Sequence, residues 1–169
     1  AIYYAYENKG PFYIRIPRSP AYDIHSAEKS FVKIEKPEIL VEGLDVTLIS
    51  NGDTTCEALA CAEMLMKEGI IAEVISAPTV KPLKSKIIIE SAKKTGAVAI
   101  IEDHSIIGGL GSAVCEVLSE EYPTLALRIG TKDVFGQSGK DTELLAEYGL
   151  TAEKFISDIV KLTQRKCQL

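Results

Sequence analysis

The chain has 169 residues, of which 46% are hydrophobic and 25% charged, with a formal net charge of −5. These proportions suit one soluble α/β-sized domain with a core of its own and at most a small appendage. The acidic balance argues against nucleic acid or an anionic membrane surface as partner, and no apolar run approaches the roughly 20 residues needed to cross a bilayer.

The chain starts at Ala1 with no Met, and "AIYYAYENKG" reads as the end of a helix closed by Gly10. The expectation is a chain that enters in the middle of a larger protein. "PFYIRI" (Pro11–Ile16) reads as a strand, with a connection or linker near Ser19–Ser30. "FVKIE" and "EILVEG" look like a two-stranded ribbon turning at Lys36 and Pro37.

From Asp45 onward strand and helix patterns alternate. "DVTLIS" (Asp45–Ser50) is β-rich. The helix that follows places Ala58, Leu59, Ala62, Leu65 and Met66 on one face, with Thr54 and Glu57 at the spacing of a capping box. "IAEVIS" (Ile71–Ser76) is the next strand, then a helix over Ser85–Thr95 ended by Gly96. "AVAII" (Ala97–Ile101) is so apolar that both of its faces are expected to be covered. A helix over Ser112–Glu121, a strand over Thr124–Ile129 and helices near Asp141–Tyr148 and Thr151–Gln164 complete the chain. Repeated strand–helix units predict an α/β fold: a three-layer, open, twisted, mostly parallel sheet with helices on both faces.

Cys56, Cys61, Cys115 and Cys167 form no Cys-x-x-Cys pair, and no histidine stands at zinc-like spacing. They read as free thiols, those on helices buried. That usage fits a reducing compartment. No segment reads as a secretory signal, so a cytoplasmic location is expected.

The most chemically suggestive stretch is "EDHSIIGGLGSAV" (Glu102–Val114), at the carboxyl end of a predicted strand, where open α/β sheets bind ligands. Three glycines, Gly108, Gly109 and Gly111, suggest a nucleotide loop, but a dinucleotide fingerprint needs a third small residue where Val114 stands. Glu102, Asp103 and His104 suggest a proton relay. No nucleophile or metal constellation adjoins them. The reading favoured on the residues alone is structural: side chains satisfying backbone donors at a helix start, and glycines permitting positive φ and close packing.

Six pieces in order carry a resemblance: "GPFYIRIPR" (Gly10–Arg18), "EGLDVTLISNG", "EALACAEMLMKEGIIAEVI", "PTVKPL", "EDHSIIGGLGSAVCEVL" and "FGQSGKDTELLAEYGLT" (Phe135–Thr151). Together they resemble the C-terminal part of transketolase, the thiamine-diphosphate enzyme that transfers two-carbon ketol units between phosphorylated sugars. 1-Deoxy-D-xylulose-5-phosphate synthase carries a similar Glu-Asp-x…Gly-Gly corner, and the β subunits of 2-oxoacid dehydrogenases a more distant one. His104 and the Phe135–Thr151 ending look more like transketolase.

The resemblance implies a division of the chain. Residues 1–30 correspond to the end of the pyrimidine-binding middle domain plus linker, and residues 31–169 to the C-terminal α/β domain. It implies thiamine diphosphate and Mg2+ in the intact enzyme, held by N-terminal and middle domains that this stretch does not include, on the same or a separate chain. No catalytic, cofactor-binding or metal-binding residue is expected here, and the chain alone is expected to be inactive. Arg18 aligns with an arginine that binds the sugar phosphate, a task suited to the guanidinium fork. Arg15 reads as structural. The domain is expected to support a homodimer, with His104, Gly108, Gly109 and Gly111 at a structural corner near the interface. Ile89, Ile106 and Ile107 are the surplus apolar residues that a partner would cover. The alternative is a non-catalytic assembly or regulatory module with the same fold.

Overall fold

The computed structural model describes residues 1–17, 23–25 and 34–168. Five strands occur among them: β1 (Glu38–Val41), β2 (Val46–Ser50), β3 (Ala72–Ser76), β4 (Ala97–Ser105) and β5 (Leu125–Thr131). Six helices accompany them: α1 (Ile2–Glu7), α2 (Thr54–Lys67), α3 (Lys86–Thr95), α4 (Leu110–Glu121), α5 (Asp141–Glu147) and α6 (Ala152–Lys166). The sheet order is β1-β3-β2-β4-β5, with β1 antiparallel to β3 and every other pairing parallel.

Side chains alternate across the strands and build two cores. Val46 and Leu48 of β2, Val74 of β3 and Ala97, Ala99 and Ile101 of β4 pack with Ala58, Cys61 and Leu65 of α2 and Phe155, Ile159 and Leu162 of α6. On the other face Ile49, Ile75, Val98 and Ile100 meet Ile88 and Ala92 of α3 and Leu110, Val114 and Leu118 of α4. Both faces of β4 are therefore covered, which is why its first six residues are all buried. The result is the expected three-layer α/β fold, mostly parallel, with helices on both faces.

Helix ends follow local chemistry, with one correction. Gly96 closes α3 at φ +68° and returns its N–H to the Ala92 carbonyl. The capping box at α2 does not form. Asp53 is the residue before the helix, and Glu57 instead accepts the N–H of Ala152 at 2.7 Å, tying α2 to the start of α6. Met66, expected inward, is 61% exposed, while Cys61 fills the core. Burial pushes the Cys61 thiol up to about 12, so it packs as a small apolar group.

The N-terminal expectations fare differently. Pro11–Ile16 forms no strand, and all of these residues are exposed. Of the predicted ribbon, residues 31–33 lie outside the described residues, as does most of the linker. Glu38–Val41 pairs antiparallel with β3.

A buried polar network underlies α3. Glu73, fully buried on β3, accepts from Ser91 and pairs with Lys94, which also reaches Glu42 at 2.8 Å. Thr47 bonds both Ser91 and Thr95. A buried carboxylate is tolerated here because its charge is paired and its lone pairs are engaged.

Candidate functional site

The strand order reverses around β2 and β4, so their carboxyl ends form the crevice where an open α/β sheet presents ligands. β4 runs further than its apolar stretch, through Glu102, Asp103 and His104 to Ser105. Pairing with β5 continues there, Ser105 opposite Thr131.

Glu102 is the centre of the corner. It is 3% exposed, and its two carboxylate oxygens accept the N–H groups of Leu110 and Gly111 at 2.7 and 2.8 Å. These are unpaired donors of the first turn of α4, where the helix dipole favours negative charge. A bound phosphate would need the same amides. The chain's own carboxylate already holds them, which gives the physical reason that this glycine cluster differs from a nucleotide loop. A Cβ at Gly109 would overlap the Glu102 carboxylate, and one at Gly111 would stand 3.0 Å from Arg128 Cγ. Gly108 has φ +79° with open space beside it, so it serves the turn and not the packing.

The loop between β4 and α4 is pinned along its length. Ser112 Oγ accepts the Gly108 N–H at 2.8 Å, and Ser105 Oγ accepts that of Ile107 at 3.2 Å. The Ile106 N–H donates to the Thr131 carbonyl, and Arg128 Nη1 donates to the Ile106 carbonyl at 2.8 Å. His104 is exposed, with Nδ1 2.8 Å from the Ser105 carbonyl. No relay forms, because Glu102 is held by helix amides and Asp103 by Arg15. Ile107 projects at 59% exposure, whereas Ile106 and Ile89 are half-buried.

Arg15 forks onto Asp103. Nη2 lies 3.0 Å from Oδ2, and Nη1 donates to the Asp103 carbonyl. Asp53, just after β2, lies nearby. Burial pushes its carboxyl up, Asp103 and Asp141 add to the rise, and Arg15 opposes it. Its Oδ1 is a buried oxygen without a hydrogen-bond partner among the described residues. Arg18 lies outside the described residues. Among the described residues no group of three or more His, Cys, Asp or Glu side chains is placed to hold a metal ion. With the α4 amides taken by Glu102, these residues do not fit a diphosphate–metal group.

The model of the transketolase C-terminal domain family matches residues 35–155. The chain belongs to that family. A 6-deoxy-6-sulfo-D-fructose transketolase subunit, SqwH, of Clostridium sp. (strain MSTE9) is 43% identical over 157 residues, covering 93% of this chain and 48% of the relative. A 1-deoxy-D-xylulose-5-phosphate synthase of Geobacter metallireducens is 41% identical over 151 residues, covering 88% of this chain and 24% of the relative. A solved structure described as a split gene transketolase, inactive beta4 tetramer, superposes with TM-score 0.91 at 44% identity, covering 98% of this chain and 54% of that one. The chain thus spans about half of the transketolase subunit and about a quarter of the synthase.

Sequence reasoning left Glu102 as one of several backbone acceptors and missed that it alone fills the helix start. The available signal was an acidic residue ending a fully apolar strand, eight residues before Leu110. The Asp103–Arg15 pair, 88 residues apart, leaves no local signal.

Proposed function

We propose that the chain is the C-terminal portion of a thiamine-diphosphate-dependent transketolase that moves two-carbon ketol units between phosphorylated sugars. In this reading the domain supports assembly and does not perform the chemistry. The observation that carries it is the contiguous match of 93% of this chain to 48% of a transketolase subunit. Residues 1–30 are the end of the middle domain plus linker, and residues 31–169 the C-terminal domain. Tyr3, Tyr6 and Tyr13, each at least 85% exposed, support the first assignment, because such side chains call for a covering surface. When bound, thiamine diphosphate supplies a thiazolium that stabilises the transferred carbanion. It and Mg2+ belong to the N-terminal and middle domains, on the same or a separate chain. Arg18 holds the sugar phosphate through its guanidinium fork. The enzyme works in the cytoplasm, and no helix among the described residues is long and apolar enough to cross a membrane.

The partner surface is a homodimer contact that includes the stretch from His104 to Leu110. Support comes from the pinned, projecting loop with Ile107 at its tip. A two-fold contact uses such a patch twice. Sedimentation over a range of concentrations is expected to show association that Ile107→Asp weakens about tenfold or more. A concentration-independent monomer, indifferent to that change, overturns this contact. Ile107 suits the test because Ile106 packs beside Gly130.

The test of function is ketol transfer between phosphorylated sugars, with thiamine diphosphate and Mg2+, by this chain together with the polypeptide bearing the remaining domains. Activity that requires both supports the proposal. Activity of the other domains unchanged by omitting this chain contradicts it. The 41% identity to the synthase favours a second reading, the corresponding part of a 1-deoxy-D-xylulose-5-phosphate synthase. Formation of that product in place of ketol transfer would select it.

A further inference from the structure

The two edges of the sheet are built differently. β1 is four residues long and shifts register against β3 between Ile39 and Val41. Short length and broken register keep an edge from recruiting another strand. β5 has neither protection. It runs for seven residues, keeps regular register with β4 from Leu125 to Ile129, and contains no Pro or Lys. Its one charged residue, Arg128, is turned along the sheet face, with its stem against Gly111 and Nη1 donating to the Ile106 carbonyl. Among the described residues β5 pairs on one side only, so its other side presents backbone N–H and C=O groups with no strand beside them.

A second copy of this chain fits that edge. Two identical edge strands related by a two-fold axis perpendicular to the sheet run antiparallel. With the axis at Leu127, the middle of the regular stretch, Leu125 stands opposite Ile129 and Ala126 opposite Arg128. No charge then faces its like, whereas an axis at Arg128 would set that cation against itself. The same antiparallel run carries Lys132, exposed just past the strand, toward the exposed Glu120 and Glu121 that precede the strand in the other copy. Symmetry makes this approach of opposite charges twice.

We propose that β5 is a self-pairing edge, where two copies join antiparallel about Leu127 into one continuous sheet. Backbone hydrogen bonds supply the affinity, and the residues at 126, 128 and 132 set the register. The pairing extends the homodimer contact proposed for His104–Leu110, because the Ile106 N–H donates to the Thr131 carbonyl at the end of β5, and it rests on that reading only in placing the contact at this edge.

Sedimentation of the parent and of two variants at the exposed Ala126 tests the pairing. Ala126→Arg brings like charges together twice and is expected to weaken association about tenfold. Ala126→Asp faces Arg128 of the second copy and is expected to strengthen association about threefold. Thermal unfolding checks that both variants fold. The parent alone gives a second readout: amide hydrogen exchange across 125–131 is expected to slow as concentration rises, with no change across 38–41. A parent that stays monomeric, association indifferent to the sign of the charge at 126, or exchange across 125–131 that does not depend on concentration overturns the pairing. If Ile107→Asp weakens association and neither Ala126 variant alters it, the loop contact stands and the strand pairing fails. If both Ala126 variants act as expected and Ile107→Asp changes nothing, the strands pair and the loop contact fails.

Discussion

Gly109→Ala is expected to lower the melting temperature of this chain by about 10 °C, against about 3 °C for Gly108→Ala. The two glycines are adjacent and do different work. At 108 the cost is backbone strain alone, since φ is +79° and nothing stands within 4 Å of a new methyl. That is worth about 1 kcal/mol. At 109 the methyl would occupy the space of the Glu102 carboxylate. Displacing that group breaks two charge-assisted bonds to the first turn of α4 and leaves a buried charge without donors, a loss of about 3 kcal/mol. Glu102→Ala removes the same bonds without overlap and is expected to fall near Gly109→Ala. Thermal unfolding of the three variants decides the matter. Equal, small shifts at 108 and 109 would show that the carboxylate does not organise the corner.

Lys94→Met is expected to cost about 3 kcal/mol, because it takes the paired cation from the fully buried Glu73 carboxylate, which Ser91 also holds. Adding Glu73→Gln to it is expected to recover more than half, since the unpaired charge is then gone. The network also fixes a pH window. Hydrogen bonds to Glu42 and then Glu73 raise the Lys94 ammonium above its ordinary 10.5, so its contribution is full below 10.5 and fades as pH rises through the raised value. The Lys94 hydrogen bond lowers the Glu42 carboxyl below its ordinary 4.5, so that contribution is full above 4.5 and fades as pH falls through the lowered value. Urea unfolding from acid to alkaline pH should show the parent losing this support at both extremes. Lys94→Met should show a flatter profile at the alkaline end. A variant as stable as the parent at neutral pH would show that the Lys94 pair does not support the fold.

The parts of the fold legible in the sequence are those with a local cause. α6 shows Phe155, Ile159 and Thr163 of its buried face at helical spacing, and β4 shows double burial as an unbroken apolar run. What escaped reading depends on distant partners. Glu57 has capping-box spacing, but its acceptor role goes to Ala152, 95 residues on. Glu38–Val41 has a strand's composition, and only the fold reveals that its partner is β3. Pro11–Ile16 alternates as a strand does, yet the described residues give it no neighbour to pair with. The corner was half legible: three glycines predict a turn, but only the packing shows that Gly109 makes room for a carboxylate while Gly108 makes the bend.

In the proposed function this chain is part of a thiamine-diphosphate enzyme whose cofactor is held by other domains. Calorimetric titration of thiamine diphosphate with Mg2+ tests it most directly, first into the 169-residue chain and then into its assembly with the remaining transketolase domains. No saturable heat is expected from the chain alone, and one-site-per-active-centre binding is expected in the assembly. Saturable one-to-one binding to the isolated chain would contradict it.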